Sequence, residues 1–203
     1  LRLLCLQEDI AGKVLEMLTG AMAQLTIGDP GDIATDIGPV IDGKARDALL
    51  DHVARMCEKG RPVWPASLPA ACRSGCFVAP TLIEIDALAE LQGEVFGPVL
   101  HVLRFAADDL EGLVAAINAT GYGLTLGVHS RIDETVGKVV KAARVGNIYV
   151  NRNMIGAVVG VQPFGGEGLS GTGPKSGGPL YLHALAGSEQ VAPAALGCAA
   201  AAP

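Results

Sequence analysis

Glu94 and Phe96 open the stretch "EVFGPVLHVLRF" (94–105), just ahead of Gly97-Pro98 and a run of apolar residues. The run reads as a buried strand, so an acid and a phenyl ring stand on the lip of a core. By spacing alone they are a solvated glutamate and a core phenylalanine. The other side chains that could do chemistry are thiols and imidazoles. There are five cysteines, Cys5, Cys57, Cys72, Cys76 and Cys198. Cys5 lies within the apolar run Leu1–Leu6 with no histidine or basic partner beside it, which argues for a buried, inert thiol rather than a nucleophile. Cys72 and Cys76 form a C-x3-C pair at a turn, where surface or half-buried thiols are expected. No second Cys or His pair follows at zinc-site spacing. The four histidines, His52, His101, His129 and His183, are spread along the chain, and no metal site is expected. The odd cysteine count argues for a reducing compartment.

The elements that must position these residues alternate between strand and helix. Residues 1–6 read as a buried strand. Ile10, Val14, Met17, Leu18, Ala21 and Leu25 recur at helical spacing over 8–26. "IGDPGD" (27–32) breaks that helix. Asp42 is the expected N-cap of a second helix with Ala45, Leu49, Val53 and Met56 on its apolar side. "CFVAPTLIEI" reads as a strand pair broken by Pro80, and Val99 to Phe105 as a strand. Asp108 or Asp109 caps a helix carrying Leu110, Val114 and Ile117. Strands are then expected at 123–130 and 145–150, separated by a helix capped by Asp133. "PLYLHAL" reads as one more strand. This alternation predicts an α/β fold, a parallel open sheet with helices on both faces. Periodicity vanishes over 151–179, a long Gly-rich stretch, and long loops in compact domains are functional or disordered. The tail beyond 185 is low in complexity and is expected to fray.

The chain has 203 residues, enough for a large core, and a formal charge of −6. Its basic residues are scattered and form no stripe, so nucleic acid is not an expected partner. No apolar run approaches the roughly 18 residues of a membrane span, and no signal peptide is visible. A cytoplasmic location is expected.

The opening motif, "NATGYGLTLGVHSR" and "QPFGGEGLSGTGPKSGGP" together resemble the aldehyde dehydrogenase superfamily. "GDPGDIATDIGPVID", "GCFVAPTLIEI" and "VGNIYVNRNMIGAVVG" are similar to its glutamate-semialdehyde (pyrroline-5-carboxylate) dehydrogenase branch, of the bacterial proline utilization A type. The likeness runs over roughly residues 1–185. It implies NAD as cofactor, with FAD only where a proline dehydrogenase domain is fused upstream, and a small aldehyde as substrate. It also implies a covalent mechanism on a cysteine thiolate. The family's nucleophile precedes a strand like Leu1–Gln7, about seven positions before Cys5. The chain is therefore expected to begin just after it and to contain no catalytic residue of its own. Glu94 becomes the acceptor for the nicotinamide ribose hydroxyls, since a carboxylate can take both at once. Phe96 becomes the ring that places the nicotinamide.

Gly156 and Ala157 match the Gly–small pair whose N–H groups grip a substrate carboxylate, and Phe164 matches the aromatic lining the aldehyde chain. An ordinary Gly-rich surface loop is the alternative. The expected organisation is a catalytic α/β domain over 1–165, lacking its N-terminal strand and nucleophile. An oligomerisation flap follows over 166–185, which makes at least a homodimer, and a tail over 186–203. Two other functions stay open: a dehydrogenase for another semialdehyde, and a non-catalytic homologue acting as an assembly or binding module.

Overall fold

The computed structural model describes residues 1–155, 158, 162–171, 175–178 and 181–186. The chain divides into two compact units, Leu1–Leu110 and Glu111–Pro203.

In the first unit β1 (Leu3–Gln7) runs directly into α1 (Glu8–Met22), followed by α2 (Gly43–Glu58), β2 (Val63–Pro65), β3 (Thr81–Ile85) and β4 (Val99–Phe105). The strands form one sheet in the order β1-β4-β3-β2. β1 and β3 flank β4 in parallel, and β2 joins β3 antiparallel. The sheet is thus mostly parallel with one reversed edge strand. Pro65 is tolerated there because an edge strand has no second ladder to feed. "CFVAPTLIEI" supplies one strand, not two, because Pro80 offers no N–H and Thr81 starts the ladder.

Leu82 and Val102 pack with Leu6, Ala11 and Leu15 in one buried cluster, backed by Leu4, Val14, Leu18 and Met22. α1 therefore covers one face of the sheet. Ala11 and Leu15 are its buried residues, with Val14, Leu18 and Met22 partly buried beside them. Of the expected positions Val14 and Leu18 pack on the core, whereas Ile10 and Met17 are exposed. The neighbour of Val102, His101, must point to the opposite face. There it meets His52 of α2. Helices thus cover both faces. The cap expected for α2 is present: Asp42 Oδ1 accepts the Ala45 N–H at 2.7 Å.

In the second unit α3 (Leu110–Ala119) leads to β5 (Tyr122–Gly123), β6 (Thr125–Val128), α4 (Asp133–Ala142) and β7 (Asn147–Val150). β6 and β7 pair in parallel across α4, a β-α-β unit. Asp133 is the first residue of α4 rather than its cap, with Ile132 before it and no side-chain cap bond. β8 (Glu167–Gly168) pairs antiparallel with β5. Backbones approach so closely here that a Cβ on Gly146 would run into the Gly165 carbonyl. The run expected as a last strand is a short helix instead, α5 (Tyr181–Ala186). Short apolar runs do not distinguish the two by periodicity, and Ala and Leu favour helix.

Candidate functional site

The lip is built by β4 and the two elements beside it. Leu49 of α2 is buried over Gly97, where a Cβ would meet its methyl groups. Pro98 O accepts the Thr81 N–H at 2.9 Å, tying the turn to β3. From this fixed base Glu94 and Phe96 project outward. The Glu94 side chain is 48% exposed, and Phe96 is 75% exposed. Phe96 is therefore no core ring. A half-exposed carboxylate beside an open aromatic face can accept hydrogen bonds from a vicinal diol and pack a flat heterocycle. The residues present thus suit a ribosyl nicotinamide.

Spacing gave no sign of the third member of the lip. Arg2 Nε lies 3.3 Å from Glu94 Oε1, and its guanidinium carbon sits 4.1 Å from the Phe96 ring centroid. The Arg2 carbonyl is fixed in turn, accepting from the His101 backbone N–H at 3.1 Å and facing His101 Nδ1 at 3.3 Å. A carbonyl only accepts, so Nδ1 carries a proton. In the neutral ring Nε2 is then the acceptor, and it lies 2.8 Å from His52 Nε2, which must donate. Burial lowers the pKa of His52 to about 4, helped by the nearby His101, and burial also lowers that of His101. Two histidines 49 positions apart thus form one neutral pair between α2 and β4. Among the described residues no group of three His, Cys, Asp or Glu side chains could hold a metal.

The thiols are placed as follows. Cys5 is partly buried in β1, and desolvation raises its pKa to about 11. Cys72, expected at or near the surface, is buried, with its Sγ 3.7 Å from the Ile27 carbonyl. Cys76 is partly buried and Cys57 exposed. Cys198 lies outside the described residues.

The other candidate region starts where β7 ends. Asn151 takes a left-handed conformation (φ 52°), which asparagine tolerates, and its amide group bonds Ser130 N and O at 2.9 Å each. Gly156 and Ala157 lie outside the described residues. Phe164 is half-buried and exchanges backbone hydrogen bonds with Ser176 at 3.0 and 2.8 Å. Asn147 holds the residues on either side of it, donating to Pro163 O at 2.9 Å and facing the Gly165 N–H at 3.4 Å. Neither asparagine stood out in the sequence: Asn147 falls within an expected strand, and polar residues such as Asn151 are common in Gly-rich segments.

The aldehyde dehydrogenase family profile matches residues 1–191. The chain belongs to the aldehyde dehydrogenase family. It is 62% identical over 190 residues to the bifunctional protein PutA of Escherichia coli, covering 91% of this chain and 14% of that protein. It is 38% identical over 177 residues to the 1-pyrroline-5-carboxylate dehydrogenase of Geobacillus kaustophilus, covering 86% of this chain and 34% of that one. A crystal structure of Bradyrhizobium japonicum proline utilization A superposes with a TM-score of 0.83 at 56% identity, over 90% of this chain and 18% of that chain. The chain therefore spans a small part of the length of these relatives. No helix among the described residues is long and apolar enough to cross a membrane.

Proposed function

We propose that this chain is part of an NAD-dependent dehydrogenase that oxidises L-glutamate γ-semialdehyde (pyrroline-5-carboxylate) to glutamate in proline catabolism. The observation that carries this reading is the joint exposure of Glu94 and Phe96 on a rigid lip, in a member of this family. The bound dinucleotide supplies the hydride acceptor. Glu94 accepts the ribose hydroxyls, and Phe96 limits where the nicotinamide ring lies. Orientation of this kind lowers a barrier by fixing the reacting distance. Gly156 and Ala157 offer consecutive N–H groups to the substrate carboxylate. Phe164, steadied through Asn147, lines the methylene chain.

Residues 166–185 reach a second subunit, giving a homodimer or a larger assembly, and residues 1–165 form the catalytic domain. A cytoplasmic setting suits the free thiols. FAD belongs only with a proline dehydrogenase domain fused upstream.

Nucleophile and base are assigned to no residue of this chain. A thiol with its pKa near 11 stays protonated at neutral pH, and the buried Cys72 thiol faces a backbone carbonyl. The 203-residue chain by itself is catalytically silent. Two measurements test the reading. In an enzyme that contains this chain, Glu94→Gln is expected to lower kcat or raise the KM for NAD; changes within about twofold in both would sink the ribose assignment. The purified chain is expected to form no NADH from glutamate semialdehyde, and turnover abolished by Cys5→Ser would overturn the placing of the nucleophile.

A further inference from the structure

We propose that Arg2 is a positioning residue for the Glu94–Phe96 lip, and that its charge sets the lip's preference between oxidised and reduced nicotinamide. This rests on reading Glu94 and Phe96 as the clamp for a nicotinamide ribose. Both side chains are exposed, and an exposed glutamate or phenyl ring left alone samples several rotamers. Arg2 engages both at once. Its Nε meets Glu94 Oε1 at 3.3 Å, while its guanidinium carbon lies over one face of Phe96, 4.1 Å from the centroid. Guanidinium is suited to this, since it is planar, always charged, and able to stack and donate together. Lysine could match the charge but not the plane.

Arg2 can do this because its own backbone does not move freely. Its carbonyl is held by His101, which is 1% exposed and is held by His52 across the face of the sheet. The chain of contacts thus runs from a buried pair to an exposed lip. Glu94 keeps its second oxygen and further lone pairs for a diol, and Phe96 keeps its other face.

The charge has a separate consequence. An oxidised nicotinamide ring is a cation, and a reduced one is neutral. A ring kept near Phe96 is kept near the Arg2 guanidinium, which repels the oxidised form and leaves the reduced form unaffected. At contacts of a few ångströms in a wet site this amounts to about fivefold in relative affinity.

The experiment is an NMR titration of an enzyme that contains this chain, following selectively labelled Phe96 ring signals as nicotinamide mononucleotide is added in oxidised and in reduced form. Wild type, Arg2→Met, Arg2→Lys and Glu94→Gln are compared, with thermal melts confirming that each is folded. Arg2→Met is expected to weaken the reduced nucleotide by about tenfold and the oxidised one by less, moving their ratio by about fivefold. Arg2→Lys should restore the ratio without the full affinity. Binding of both forms by Arg2→Met as by wild type, or equal weakening with no change of ratio, would overturn the role given to Arg2. If wild type binds neither form, or Glu94→Gln binds both equally well, the clamp reading fails and the role of Arg2 fails with it. The two failures are distinguishable, because only the second shows in wild type or Glu94→Gln.

Discussion

The lip at 94–101 and the described residues of 146–155 and 162–165 are built by opposite means. The lip works through side chains. Glu94, Phe96 and Arg2 project from a backbone locked by β4, by Leu49 over Gly97 and by the histidine pair. The later segment is shaped by the backbone itself, with glycines where carbonyls crowd and two asparagines tying loop to strand. A site made of side chains needs a firm core beneath it. A stretch whose backbones crowd needs side chains kept out of the way, which is why glycine stands at 146 and 165.

The same substitution therefore gives different results in the two regions. Gly146→Ala places a methyl against the Gly165 carbonyl, and neither atom can swing aside. A loss of about 3 kcal/mol is expected for the second unit, measured by hydrogen exchange in β6 and β7. Gly97→Ala meets only the end of the Leu49 side chain and should cost about 1 kcal/mol in the first unit. Equal losses would break the comparison.

Acid should sharpen it. The unfolded histidines titrate near the ordinary 6.5, whereas folded His52 titrates near 4 and His101 below the usual value. Between these values the unfolded chain binds protons that the folded chain does not. Stability is therefore full above about pH 6.5 and is lost as the pH falls toward 4, with His52 alone contributing about 3 kcal/mol. Denaturant melts of the first unit at pH 7 and 4.5 check this. His52→Gln should flatten the dependence, and an unchanged slope in that variant would sink the assignment.

For the proposed carboxylate anchor, Ala157→Leu should slow an enzyme containing this chain by about tenfold on glutamate semialdehyde, with propanal hardly affected. Equal losses on the two aldehydes would remove the carboxylate anchor. The smallest effect belongs to Asp42→Ala. Removing the bond to Ala45 N costs about 1 kcal/mol in a thermal melt, and the lip is left in place.

What the sequence made legible follows from range. The Asp42 cap and the β4 run are local patterns, and both stand where spacing placed them. The reversed edge strand β2 was not legible, since three residues carry no period. The pairing of His52 with His101 and of Arg2 with Glu94 joins residues 49 and 92 positions apart, and nothing in either neighbourhood announces the other. Glu94 and Phe96 stood out only because a motif surrounds them; their exposure is a property of the folded lip. Gly156 and Ala157 were marked by their match to a family motif, and they lie outside the described residues.

Trp64 sits on the reversed edge strand β2, 37% exposed, and is the one tryptophan in the chain. It belongs to the first unit, so indole emission is an optical label for that unit alone. A fluorescence melt reports the loosening of the sheet beneath the lip, while circular dichroism sums the helices of both units. Where the two curves coincide, the units unfold in one cooperative step. Where emission moves first on acidification, the first unit gives way before the second, and the order of unfolding can be read without any added dye.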